Sequence, residues 1–122
     1  MEPSVSCFYR ANSITLRVTG AFNRQAGVDC MAAYDRVPCA WRKQLIVILD
    51  RVDKVEGSAL EALLYFCERS LNPHREIRLV QCDPLVTQVL RGAGLQAYYS
   101  IHEEPLRRGG TTTLWPSQVG QG

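Results

Sequence analysis

The sequence predicts a single α/β domain on a mixed, mostly parallel sheet of about five strands with three main helices, in the order β-β-α-β-α-β-α-β. Three observations carry this expectation. Gln44-Leu45-Ile46-Val47-Ile48-Leu49 is a nearly unbroken apolar run rich in β-branched residues, the pattern of a central parallel strand covered by helices on both faces. Two short stretches near the start alternate apolar and polar side chains, as a half-exposed strand does. Thereafter strand-like and helix-like segments take turns, which implies parallel pairing through right-handed crossovers.

The alternating stretches are residues 5–10 and 14–19, joined across Ala11-Asn12-Ser13 as a hairpin toward one side of the sheet. Ile14, Leu16 and Val18 share one face of the second. Gly20-Ala21-Phe22 is expected to break it, and Asn23 to cap a helix running to about Arg36, with Ala26, Cys30, Ala33 and Tyr34 inward. Val37-Pro38 stops that helix. After the central strand, a loop holding Asp50, Arg51 and Asp53 leads to a second helix from Ser58 to about Leu71. Its expected apolar stripe is Leu60, Leu63, Leu64, Cys67 and Leu71, and Asn72-Pro73 ends it. Residues 76–82 read as a strand. Asp83-Pro84 opens a third helix with Leu85, Val86, Val89 and Leu90 inward, and Gly94 suits a left-handed position at its close. Residues 97–101 are the last short strand. From Pro105 the pattern fails, so residues 1–104 are expected to form the domain and 105–122 a flexible tail, with docking of Trp115 as the alternative.

Composition narrows the function. A formal charge of +2, spread along the chain, gives no basis for nucleic-acid binding. The longest apolar run is far short of a membrane span, and the first residues lack the form of a signal peptide, so a cytoplasmic protein with no integral membrane segment is expected. Five cysteines without a C-x-x-C pair or a histidine at ligand spacing argue against a disulfide framework or zinc. No metal or other cofactor is expected, and most of the thiols lie in apolar patterns and read as small core hydrophobes.

Binding sites in open α/β sheets gather where parallel strands end, which here is the segment from Asp50 to Ser58. Ser58-Ala59-Leu60-Glu61 also fits a capping box, with Ser58 as N-cap and Glu61 reaching back. The run Val47-Ile48-Leu49-Asp50-Arg51-Val52-Asp53-Lys54-Val55-Glu56-Gly57-Ser58-Ala59-Leu60-Glu61-Ala62-Leu63-Leu64 resembles the signature of the STAS domain, the family that includes the bacterial anti-sigma factor antagonists. In that signature an apolar strand leads to Asp-Ser-Ser-Gly-Leu and a leucine-rich helix. Leu16-Arg17-Val18-Thr19-Gly20-Ala21-Phe22-Asn23 resembles the family's second strand and turn. Ile77-Arg78-Leu79-Val80, residues 86–90 and Gly94-Leu95 resemble its later strand and helix.

The resemblance implies a STAS-like fold and a non-catalytic module for signal transduction that binds a regulatory protein. The implied contact residues are Val55, Glu56, Gly57, Ser58, Glu61, Ala62 and Tyr65. In the family a serine at the helix start is phosphorylated by a partner that is both kinase and anti-sigma factor, and the added charge weakens the interface. Here Glu56 stands for the aspartate, Gly57 for the phosphoacceptor and Ala59 for the glycine. Ser58 is therefore the candidate alternative acceptor, and binding without a switch is the expectation. The implied partner is an anti-sigma factor kinase or the cytoplasmic ATPase of a lipid-transporting ABC system, and the chain itself is expected to be a monomer or weak homodimer. Two other readings rest on the same sheet end. One is a small enzyme using Asp50, Asp53 and Glu56 with His74 or His102, which no nucleophile–base pair or phosphate loop accompanies. The other is nucleotide binding near Asn23.

Overall fold

Asn12, at φ 76°, takes the left-handed position of a two-residue turn and folds β1 (Ser4–Arg10) back on β2 (Ser13–Phe22). In the computed structural model, which describes residues 3–70 and 73–104, β2 then pairs in parallel with β3 (Gln44–Val55). β3 pairs in parallel with β4 (Arg75–Val80), and β4 with β5 (Ser100–Glu104). The sheet order is β1-β2-β3-β4-β5, so β3 is central as expected.

Between the strands lie α1 (Arg24–Arg36), α2 (Gly57–Arg69) and α3 (Pro84–Gly92). Local chemistry sets most of their ends. The Asn23 side chain accepts from the Ala26 amide at 3.0 Å, and Val37 leaves the helix in an extended conformation. Asp83 accepts from the Leu85 amide at 2.9 Å ahead of Pro84, and Gly94 sits at φ 80°.

Strands that follow one another across a sheet through crossovers of the same hand carry every helix on the same face. Burial agrees. On one face Ile14, Leu16, Val18, Leu45, Val47, Leu49, Ile77 and Leu79 are fully covered, and with Phe22, Tyr34, Leu63 and Phe66 they make the core. On the other face Ile46, Ile48 and Val80 are only half-buried. The expectation of helices on both faces of β3 is thus corrected. β-branched residues occupy its open face as well, which gave the run its two-sided look.

Several boundaries also move. β2 continues through Gly20-Ala21-Phe22, and β3 continues through the expected loop to Val55. A bulge reconciles the two: Thr19 faces Asp50, but Gly20 faces Val52 and Ala21 faces Lys54, with Arg51 at φ 57° and Gly20 at φ 92°. Val52 is buried there while its neighbours are not. β4 stops at Val80, where Gln81 turns at φ 57°. β5 begins at Ser100 rather than residue 97, because Leu95–Ala97 form a 3-10 turn. In α3 the inward residues are Val86, Thr87 and Leu90, whereas Leu85 and Val89 are 61% and 41% exposed. Leu71, Asn72 and the expected tail with Trp115 lie outside the described residues.

Candidate functional site

The sheet delivers the start of α2 to its C-terminal end. The Glu56 amide donates to the Phe22 carbonyl at 3.0 Å, which ties the end of β3 to the end of β2. Glu56 is the N-cap, and its carbonyl accepts from the Ala59 amide at 3.0 Å. Its side chain makes no capping bond and lies 3.6 Å from Lys54. The expected capping box at Ser58 and Glu61 is therefore corrected. The helix begins one residue earlier, at Gly57, and the exposed Ser58 falls inside its first turn with no capping role.

The face that α2 buries also differs from the expected stripe. Ala59, Ala62, Leu63 and Phe66 are inward, Leu60 and Cys67 are half-buried, and Leu64 is 42% exposed. The reason is the seam with α1. A Cβ placed on Gly27 would meet the Ala59 Cα at 3.3 Å and the Ala62 Cβ at 3.5 Å, so the two helices touch through their smallest residues. Above that contact Tyr34 stacks on Phe66 with ring centres 4.7 Å apart, and the Tyr65 hydroxyl donates to Asp35 at 2.6 Å. α2 is thus turned toward α1 about its alanines. Ala62, expected as a surface contact, is fully buried in that seam.

Of the other expected contacts, Gly57, Ser58 and Glu61 are exposed, while Val55, Glu56 and Tyr65 are half-buried. Tyr65 is held as a tie between helices, with the Arg69 guanidinium 4.7 Å from its ring centre. Its bond to the Asp35 carboxylate raises the hydroxyl above its ordinary range. Leu64 is the surface residue that leucine spacing alone misassigns. Small residues at Gly27, Ala59 and Ala62 are the signal that would have placed it.

Asp50, Asp53 and Glu56 do not assemble with the histidines. Asp50 pairs with Arg17 at 3.1 Å on the open face. His102 lies 3.4 Å from Glu76, whose β3 neighbour is Ile46. Four residues of strand separate that position from Asp50, about 13 Å. His74 is at the opposite end of the strands, beside the start of β4. Among the described residues no group of three or more His, Cys, Asp or Glu is placed to hold a metal ion, and no helix is long and apolar enough to cross a membrane. Asn23 has its side-chain oxygen engaged in the α1 cap. Cys30 is buried in the core, and that burial pushes its thiol up to about 12.

No family model and no curated protein matches the chain. Among solved structures it is similar to the crystal structure of an anti-sigma factor antagonist from Mycobacterium paratuberculosis, with a TM-score of 0.65 and 12% identity over 83% of this chain and 86% of that one. The five-stranded mixed sheet with its three helices matches the fold of that protein.

Proposed function

We propose that this domain is a non-catalytic protein-interaction module that binds a regulatory protein through the end of β3 and the outer stripe of α2. The observation that carries the reading is the stripe itself. Gly57, Ser58, Glu61 and Leu64 are exposed along a helix whose opposite side is locked into the core, so a leucine lies open among polar neighbours on the helix that starts at the sheet end where binding sites gather. A partner that covers Leu64 gains apolar burial, and Glu61 supplies a charge that selects for a basic surface.

The likeness to an anti-sigma factor antagonist favours an anti-sigma factor kinase as that partner over a transporter ATPase. Ser58 is the hydroxyl available for a phosphate switch, and Gly57 offers none. Binding without a switch remains the reading, because a phosphoryl group on Ser58 would stand close in sequence to the carboxylates of Glu56 and Glu61.

The test uses the purified full chain as bait in lysate of its host, beside Glu61→Lys and Leu64→Asp. A single partner retained by the unaltered chain, lost by both variants and kept by a Gln88→Glu control on α3 is expected. A partner recovered equally by all four would place the interface elsewhere.

A further inference from the structure

The two edges of the sheet are built differently. β5 closes one side in five residues that include His102, Glu103 and Glu104, a charged edge that resists pairing. β1 closes the other in seven residues with a single charge, Arg10 at its end, and no proline or bulge. Phe8 and Tyr9 are 59% and 50% exposed along it, and Tyr9 rests edge-on against Trp41.

Among the described residues the outer edge of β1 is unpaired, and it has a definite register. A two-residue turn makes Arg10 and Ser13 a hydrogen-bonded pair, as are Phe8–Thr15 and Ser6–Arg17 by alternation. Val5, Cys7 and Tyr9 therefore point their backbone N–H and C=O groups outward. The same three residues form one wall of a groove of about 550 Å³. Its other wall comes from α1, through Asp29, Ala32, Ala33 and Arg36.

Each wall is symmetric about its own middle, and the two face each other across the same groove. The strand set is centred on Cys7. The helix set is centred between Ala32 and Ala33, with an acid and a base at equal distances on either side. α1 runs in the direction of β1, since both are antiparallel to β2.

From this geometry we infer that β1 and α1 together form a self-complementary face that joins two copies of the chain. A two-fold axis through Cys7 pairs Val5 with Tyr9 of the second copy, Cys7 with Cys7, and Tyr9 with Val5, and extends the sheet to ten strands. The same axis sets the two α1 helices antiparallel, with the alanines at the crossing and Asp29 facing Arg36 twice. Strands ~4.8 Å apart, each with its helix slightly inboard, leave roughly 10 Å or a little more between the helix axes, a spacing that small residues suit. On the open face the two Phe8 rings become diagonal neighbours across the axis. Arg10 faces Ser4, so no like charges meet along the strands. This face is separate from the α2 stripe, and the dimer leaves both stripes accessible.

Sedimentation velocity of the full chain across micromolar to millimolar concentration tests the inference. A monomer–dimer equilibrium is expected. Asp29→Arg and Arg36→Asp, made singly, each turn two attractive pairs into two repulsive ones and are expected to weaken association about tenfold. The double variant Asp29→Arg/Arg36→Asp is expected to restore it, and that rescue excludes misfolding as the cause. Phe8→Asp, on the other sheet face, is expected to weaken it as well while leaving the melting curve of the dilute protein unchanged. A chain that stays monomeric throughout, or a dimer indifferent to the single charge reversals, overturns the inference.

Discussion

Replacing Gly27 tests the packing that orients the candidate site. At this position a Cβ would lie 3.3 Å from the Ala59 Cα, 3.5 Å from the Ala62 Cβ and 3.6 Å from the Ala59 carbonyl oxygen. Gly27→Ala gains about 0.8–1 kcal/mol of helix propensity, but requires the α2 backbone to withdraw by a few tenths of an ångström. The two effects nearly cancel, and stability within about 0.5 kcal/mol of the parent chain is expected. Gly27→Leu gains similar propensity but drives three further carbons into a seam that has little room for the first. Overpacking of this kind costs about 1–3 kcal/mol, with the upper end appropriate where the obstructing atoms are backbone. The net expectation is a loss of about 2 kcal/mol, or about 10 °C in Tm. Urea unfolding followed by far-ultraviolet circular dichroism measures it, with an unchanged m-value showing that the unfolded state is not responsible. Removing the facing methyl in Gly27→Leu/Ala62→Gly should recover part of the loss, a non-additivity expected only of residues in contact. If Gly27→Leu were as stable as the parent, α1 and α2 would not meet at these residues, and the burial of Ala62 and exposure of Leu64 would lose their explanation.

Other outcomes follow from the caps, the buried acids and the helix start. Asn23→Ala, which removes a formed cap bond, should cost about 1 kcal/mol, whereas Ser58→Ala should be neutral within about 0.5 kcal/mol; chemical unfolding distinguishes them. Burial raises Cys30 to about 12 from 9.0 and also raises Tyr34 and Tyr99. Their neutral forms are thus favoured in the fold, so this contribution is complete below the unfolded-state pKa values and is lost as pH rises through the folded ones. Stability should decline above pH 9, each group contributing at most about 1.4 kcal/mol per pH unit, and Cys30→Ala should flatten the slope even though it lowers the starting value. Gly57→Ser should be tolerated or slightly stabilising in thermal melts, because a Cβ at Gly57 meets nothing within 4 Å and the backbone there is not left-handed.

How much was legible in the sequence depended on whether the cause was local. Asn23, Asp83-Pro84, Val37-Pro38 and Gly94 act on their own backbone or their near neighbours, and all four set helix ends where the sequence placed them. The order of elements and the central position of β3 followed from the alternation of patterns. What escaped depended on distant partners. Asp50 to Lys54 has the composition of a loop, yet it is strand because β2 continues beside it across a bulge. Ile46 and Ile48 have the character of core residues, yet sequential crossovers leave their face open. In α2, leucine spacing suggested one buried stripe, and Gly27 on another helix selected a different one through Ala59 and Ala62.

The same distinction bears on Gly57 and Ser58. The glycine is not demanded by the fold: its backbone is ordinary and the space around it is open. The missing hydroxyl is thus a matter of surface chemistry rather than of packing. Nor does Ser58 simply take over the position, because one residue along an α-helix rotates a side chain by about 100°. A hydroxyl at Ser58 faces a different sector of the surface from one at residue 57, and an enzyme that aligned its phosphoryl donor with the first helical residue would not find it in line. With Glu56 half-buried beside Lys54 and Glu61 exposed one turn below, an added phosphate would also join an already acidic surface. On the proposed reading, the docking place is kept while residue 57 lacks the hydroxyl whose phosphorylation the resemblance implies. For that reason constitutive binding, governed by Leu64 and Glu61, explains this surface better than a displaced phosphorylation site.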